Sequence, residues 1–245
     1  MEYWVVDHKH IFKPEELYLE SHASTIECLS DGTLVAAWFG GSKEGKDDVG
    51  IWYSRYRDGK WEPQRKAAGT GEAPCWNPVL FDAGDRLVLY YKTGKPIPVW
   101  QTYYKESFDQ GETWSAGKEL VVGDFGGRGP VKNKCIRLRD GAILAPASIE
   151  TETEWNCFTD RSEDNGRTWT RSEYVPIDRS KLEYKGIIQP TLWQDDAGIV
   201  HMYTRSTEGY IYHSQSEDGG KSWSEALPTA LPNNNSGIDL TRLED

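Results

Sequence analysis

Several signals that would assign a chain to a membrane, a secretory route or a nucleic acid are missing here. No apolar stretch approaches the ~18 residues that a helix needs to cross a bilayer. The opening, MEYWVVDHKHIFKP, has no basic leader followed by an apolar run of about 7–15 residues, so the expected location is cytoplasmic or one the sequence leaves open. Lys and Arg number 28 against 39 Asp and Glu, a net charge of −11. Without a basic stripe to displace counterions, a nucleic-acid partner is excluded. An acidic glycan is not, because a few cations gathered in one pocket outweigh a distributed surface charge.

Cysteine is sparse: Cys28, Cys75, Cys135 and Cys157 fall at unrelated spacings, which argues against a disulfide scaffold and for reduced, buried thiols. The five histidines include no H-E-x-x-H pair, and neither G-x-G-x-x-G nor a P-loop occurs, so no cofactor or metal is expected. Helix signals are almost absent, with residues 178–182 at most a turn. No Pro/Gly/Ser linker or charge block divides the chain, and residues 1–245 are expected to form one domain.

What the chain does have is a repeat. Ser107 to Trp114 reads SFDQGETW, Ser162 to Trp169 SEDNGRTW and Ser216 to Trp223 SEDGGKSW, while Ser54 to Trp61 (SRYRDGKW) keeps only the Gly-x-Trp end. The tryptophans stand 53, 55 and 54 residues apart, a period that belongs to propellers or solenoids. In each box Asp-x-Gly supplies a turn and the Trp covers it. Upstream lies a hairpin of short strands around an acidic-glycine turn, as in TIECLSDGTLVAAW and KCIRLRDGAILAPA. About four strands per repeat make a propeller blade. Blades are expected at 20–65, 73–118, 130–173 and 185–228, with a partial fifth at 233–245 and a short strand at 4–12. The pattern stops in mid-blade, so a chain truncated at its C-terminus is expected.

The boxes are Asp-boxes, and the chain resembles the sialidase-like (neuraminidase, BNR/Asp-box repeat) propellers over nearly its whole length, SHASTIECLSDGTLVAAWFGG, GIIQPTLW and LPNNNSGIDL being similar to a non-standard branch. The resemblance implies an all-β fold of six blades when complete, of which four to five are represented here, with Asp109, Asp164 and Asp218 structural. It also implies exo-glycosidase action on terminal acidic sugars, using three arginines, a tyrosine with its glutamate, and an aspartate acid/base. Here Ala23 to Ile26 replace the first arginine motif, no aspartate follows Phe39 until Asp47, and Gln189 stands where the glutamate is expected. Arg205 matches a family arginine.

Polar residues recur where the innermost strands begin: His22, then Trp76 and Asn77, then Lys132, Asn133 and Lys134, then Gln189, with Asn235 and Asp239 at the start of the fifth unit. Hydroxyl-rich ligands need paired donors and acceptors, and Trp76 offers a stacking face. Lys43, Lys92 and Arg205 follow second strands and are candidates for the same mouth, where an arginine fork suits a carboxylate. Within SIETETEW, Glu150 is the candidate acid or base. The candidate catalytic set is therefore His22, Gln189, Arg205 and Glu150. Three functions compete: a glycosidase on acidic sugars; a polysaccharide lyase on uronates, such as the rhamnose-glucuronate linkages that related propellers cleave, with His22 as base or acid; and a carbohydrate-binding propeller without catalysis.

Overall fold

In the computed structural model, which describes residues 8–13 and 16–241, four antiparallel sheets follow one another along the chain. The first contains β1 (Glu20–Cys28), β2 (Leu34–Gly41), β3 (Gly50–Arg57) and β4 (Lys60–Trp61), with β5 (Arg65–Ala68) also on β3. Next come β6 (Cys75–Asp82), β7 (Leu87–Thr93), β8 (Gln101–Ser107) and β9 (Lys118–Glu119). The third sheet is β10 (Ile136–Arg137), β11 (Ile143–Glu150), β12 (Trp155–Ser162) and β13 (Thr170–Arg171). The fourth is β14 (Ile187–Gln194), β15 (Val200–Ser206), β16 (Tyr210–Ser216) and β17 (Leu227–Pro232). Each sheet keeps sequence order, so this is a four-blade β-propeller arrangement, and residues 179–181 make only one 3-10 turn.

Inner strands of all four blades share one axial cavity of about 450 Å³, lined by Glu27, Asp82, Ile136 and Thr191 among others. Between blades the core is apolar: Leu80 and Leu89 pack with Val35 and Ile51, Ile143 with Val79 and Tyr90, and Ile187 and Met202 with Leu144 and Cys157.

The Asp-boxes close each outer turn with the same bonds. Ser107 Oγ donates to Asp109 Oδ1 and accepts from Gly111 N, both at 2.8 Å, while Thr113 gives its N–H to Oδ1 (2.9 Å) and its hydroxyl to Oδ2 (2.6 Å). Asp164 and Asp218 repeat the scheme with Thr168 and Ser222. The tryptophan that ends each box reaches the preceding blade: Trp114 stands edge-on to Tyr53, Trp169 edge-on to Tyr90, and Trp223 donates to Thr159 Oγ1 at 3.1 Å. Any side chain at Gly220 would be strained, since its φ is +85° and a Cβ would lie 2.6 Å from the Leu144 methyl groups.

Strand register sets the boxes and the strand entrances apart. In the fourth blade Ile188 pairs with Arg205 at one end, whereas Val200 pairs with the box residue Ser216 at the other.

Two expected elements differ. Among residues 8–12 no strand forms, and the remainder of the expected 4–12 strand lies outside the described residues. Residues 233–241 also carry no strand, and 242–245 lie outside the described residues. All four cysteines are free, three buried as expected, but Cys28 is exposed on the same face of β1 as the exposed Ile26.

Candidate functional site

The mouth is built from strand entrances that bulge. Register slips between His22 and Thr25, between Trp76 and Val79, and between Ile188 and Thr191, and the residue inside each slip, Ala23, Asn77 or Gln189, takes a positive φ. Non-glycine residues rarely adopt that conformation, and a bulge is a way to re-aim a side chain.

Around the fourth-blade bulge the polar groups converge on one guanidinium. Arg205 is the penultimate residue of β15; its Nη1 donates to Gln189 Oε1 at 3.1 Å and its Nε to Asn235 Oδ1 at 2.8 Å. Its Nη2 has no hydrogen-bond partner among the described residues. The guanidinium carbon lies 5.5 Å from the centroid of Trp155, which opens β12. Trp155 is the cross-strand partner of Glu150. Burial lifts the Glu150 carboxyl above its ordinary value, while Arg205 and Lys185 pull it back down. Burial also lowers the Arg205 pKa, opposed by Glu150. Glu150 makes no side-chain hydrogen bond among the described residues.

Toward the axis, Lys132 is half-buried. Desolvation lowers its pKa, Asp239 raises it, and Arg205 and Lys134 lower it further. Lys134 Nζ pairs with Asp239 at 3.0 Å. Lys132, Asn133, Lys134 and Asp239 line a cavity of about 330 Å³ together with Ser24 and Thr25 of the first blade.

The structure thus brings together Gln189, Arg205, Glu150, Asn235, Lys132 and Asp239. The other candidates take several places. His22 is exposed, and its ring contact among the described residues is a stack on Phe39 at 5.8 Å. Trp76 offers no free face: it is buried between Phe39 and Trp100, with Nε1 bonded to Gly94 O at 3.1 Å. Asn77 is buried too. Lys92 does not reach the mouth, because it turns inward, wholly buried, and donates to Thr102 Oγ1 and the carbonyls of Gly127 and Arg128. Asn133 joins blades, its amide donating to the carbonyls of Gln189 and Pro190. Lys43 stands exposed in the loop after β2. Glu154 is drawn away to Arg179 at 3.5 Å, leaving Glu150 as the inward carboxylate of its run.

The profile of the BNR repeat-like domain matches residues 32–245. The chain belongs to that family. Among solved structures, this BNR repeat-like chain is similar to a protein of unknown function from Dyadobacter fermentans, at 15% identity and a TM-score of 0.70, covering 86% of this chain and 69% of that one. It is similar to the intramolecular trans-sialidase of Ruminococcus gnavus, solved with oseltamivir carboxylate, at 14% identity and a TM-score of 0.68, over 90% of this chain and 73% of that one. It is likewise similar to the NanB sialidase of Streptococcus pneumoniae at 12% identity and a TM-score of 0.72, over 94% of this chain and 55% of that one. No curated protein matches. At these identities the likeness is one of fold, and the BNR repeat-like propeller is of the sialidase-like kind.

Two residues at the site, Trp155 and Lys185, were not singled out from sequence. Both sit in the cleft between the third and fourth blades, and no motif marks a contact made between blades.

Proposed function

We propose that this protein is a carbohydrate-active enzyme acting on terminal acidic sugars, with its substrate carboxylate held at Arg205. The observation that carries this is the Arg205 guanidinium, fixed by Gln189 and Asn235 on two of its nitrogens, with an Nη2 that bonds nothing among the described residues, beside the half-buried Glu150. A planar fork held in this way loses little rotamer entropy on gripping a carboxylate. Glu150, whose burial favours the protonated form, is the proton donor to the departing glycosidic oxygen. Lys132 and Lys134 add positive potential toward the axis.

A second chemistry has its own support. Lys132 is half-buried beside two other cations, and burial and their charge lower its pKa against the pull of Asp239, the direction a base requires. On a uronate held at Arg205, Lys132 would take the proton next to the carboxylate. The bond to the leaving oxygen would then break as Glu150 protonates that oxygen, leaving a carbon–carbon double bond and consuming no water. His22 is not needed for this step.

Product analysis by mass spectrometry separates the two, using sialyl- and glucuronyl-terminated oligosaccharides. Hydrolysis adds the mass of water across the products; elimination gives an unsaturated acid of lower mass. Binding of acidic glycans with neither product leaves the non-catalytic alternative, and equal indifference to acidic and neutral glycans contradicts the proposal.

A further inference from the structure

Lys185 lies just ahead of β14, and its place is fixed by backbone contacts. Trp155 N donates to Lys185 O at 2.9 Å, and Trp155 forms a parallel bridge with Gly186. From the other side, Thr207 Oγ1 accepts the N–H of Lys185 at 3.1 Å and that of Gly186 at 2.9 Å. The approach requires glycine: φ of Gly186 is +115°, and a Cβ there would stand 2.9 Å from Trp155 O. The start of the fourth blade is therefore pressed onto the start of β12.

The consequence is that one indole carries two cations. Lys185 Nζ lies 6.0 Å and Arg205 Cζ 5.5 Å from the centroid of Trp155. The ring is itself buried, and its cross-strand partner is Glu150. Lys185 is half-buried, and among the described residues its ammonium forms no hydrogen bond or ion pair, so it keeps donors for a ligand. A ring quadrupole holds cations without using up their N–H groups, which a carboxylate partner would do.

We infer that Lys185 is a second ligand-contacting cation of the acidic-sugar site and that Trp155 is the positioning residue that holds Lys185 and Arg205 against one ring, next to Glu150. The inference rests on the acidic-sugar reading of the mouth. It narrows the ligand to a sugar whose carboxylate can take the Arg205 fork while a second oxygen reaches an ammonium.

The test is calorimetric titration of 3′-sialyllactose, a glucuronate-terminated disaccharide and lactose into the wild type and the variants Lys185→Gln, Trp155→Leu and Trp155→Phe, each checked for folding by its melting temperature. Lys185→Gln is expected to bind the preferred acidic probe about tenfold more weakly, the worth of one charge-assisted hydrogen bond, with lactose unaffected. Trp155→Leu should show a similar loss and Trp155→Phe should recover most of it, since a phenyl ring keeps a face for the cations. Loss of the Lys185 charge should also move the pH midpoint of acidic-probe binding upward, because one of the charges holding Glu150 down is gone. A Lys185 that only acts on Glu150 through space would shift that midpoint and leave the affinity below it unchanged. If the wild type binds neither acidic probe, the reading of the mouth falls and this inference with it. If the wild type binds one and Lys185→Gln matches its affinity below the pH midpoint, the inference alone is overturned.

Discussion

Arg205 and Gln189 meet across the first two strands of the fourth blade, Nη1 to Oε1 at 3.1 Å, because the bulge after Ile188 swings the Gln189 side chain toward the end of β15. Asn235, from the tail, completes the grip on Nε at 2.8 Å. A guanidinium held this way by neutral amides keeps its full charge for a ligand.

Arg205→Lys should accordingly weaken binding of an acidic oligosaccharide by about tenfold or more, since a fork is exchanged for a point charge, while the melting temperature changes little. Titration of an acidic glycan against its carboxyl-reduced counterpart checks this. Equal loss for both ligands would show that Arg205 holds the fold of the mouth and not the carboxylate.

The Asp-boxes should behave in the opposite way. Asp109→Ala removes the acceptor for Ser107, the Thr113 N–H and the Thr113 hydroxyl, and should cost about 1 kcal/mol at this exposed turn without altering glycan affinity. Hydrogen bonds from Thr113 hold Asp109 down to about 2. At Asp164 and Asp218 burial acts upward, but bonds from Thr168 and Ser162, and from Ser222 and Ser216, leave both at about 2. Folded values below the unfolded 3.8 mean stability that is present above pH 3.8 and lost as pH falls through 2. Acid unfolding followed by circular dichroism should show a smaller drop over that window in the triple alanine variant than in the wild type.

The blades were legible because their signals are local. Asp-x-Gly turns and the Trp of each box need only neighbours in sequence, and their recurrence gave the period. Arg205 and Gln189 stood out in the sequence as polar residues at strand ends, and Glu150 as one carboxylate of the SIETETEW run. Periodicity gives a residue's place along a strand and not what covers it: Phe39 stacks on the exposed His22 ring, and Trp76 is buried against Phe39 and Trp100. Lys92 follows its strand as Arg205 does, but the carbonyls of Gly127 and Arg128 draw it inward. Trp155 and Lys185 depend on the close approach at Gly186, which is a contact between blades.

Glu150→Gln tests the half-buried acid. Burial raises the folded pKa above the ordinary 4.5, so the group's favourable contribution is complete below 4.5 and is lost as pH rises through the folded value. The glutamine variant should therefore melt higher than the wild type at pH 7, and the gap should close on approach to pH 4.5. A variant that melts lower at pH 7 would mean that the ionised carboxylate is stabilising, and would remove Glu150 as a proton donor.

Lys92 supplies a second pH signature away from the mouth. Burial lowers its pKa from 10.5 to about 7, with Asp160 and Cys135 acting upward and Arg128 downward. The folded value lies below the unfolded one, so its contribution to stability is complete above 10.5 and is lost as pH falls through about 7. Relative to Lys92→Met, the wild type should gain melting temperature between pH 7 and pH 9. A difference that is flat with pH would show that the ammonium stays charged in its carbonyl cage.

The most direct test of an acidic-sugar site at this mouth is a crystal structure of the wild type with a bound sialyl or glucuronyl oligosaccharide. The expected result is a sugar carboxylate on Arg205 Nη2, within about 3 Å as a charge-assisted hydrogen bond requires, with the glycosidic oxygen facing Glu150. A sugar seated instead against His22 and Lys43, with Arg205 untouched, would contradict it.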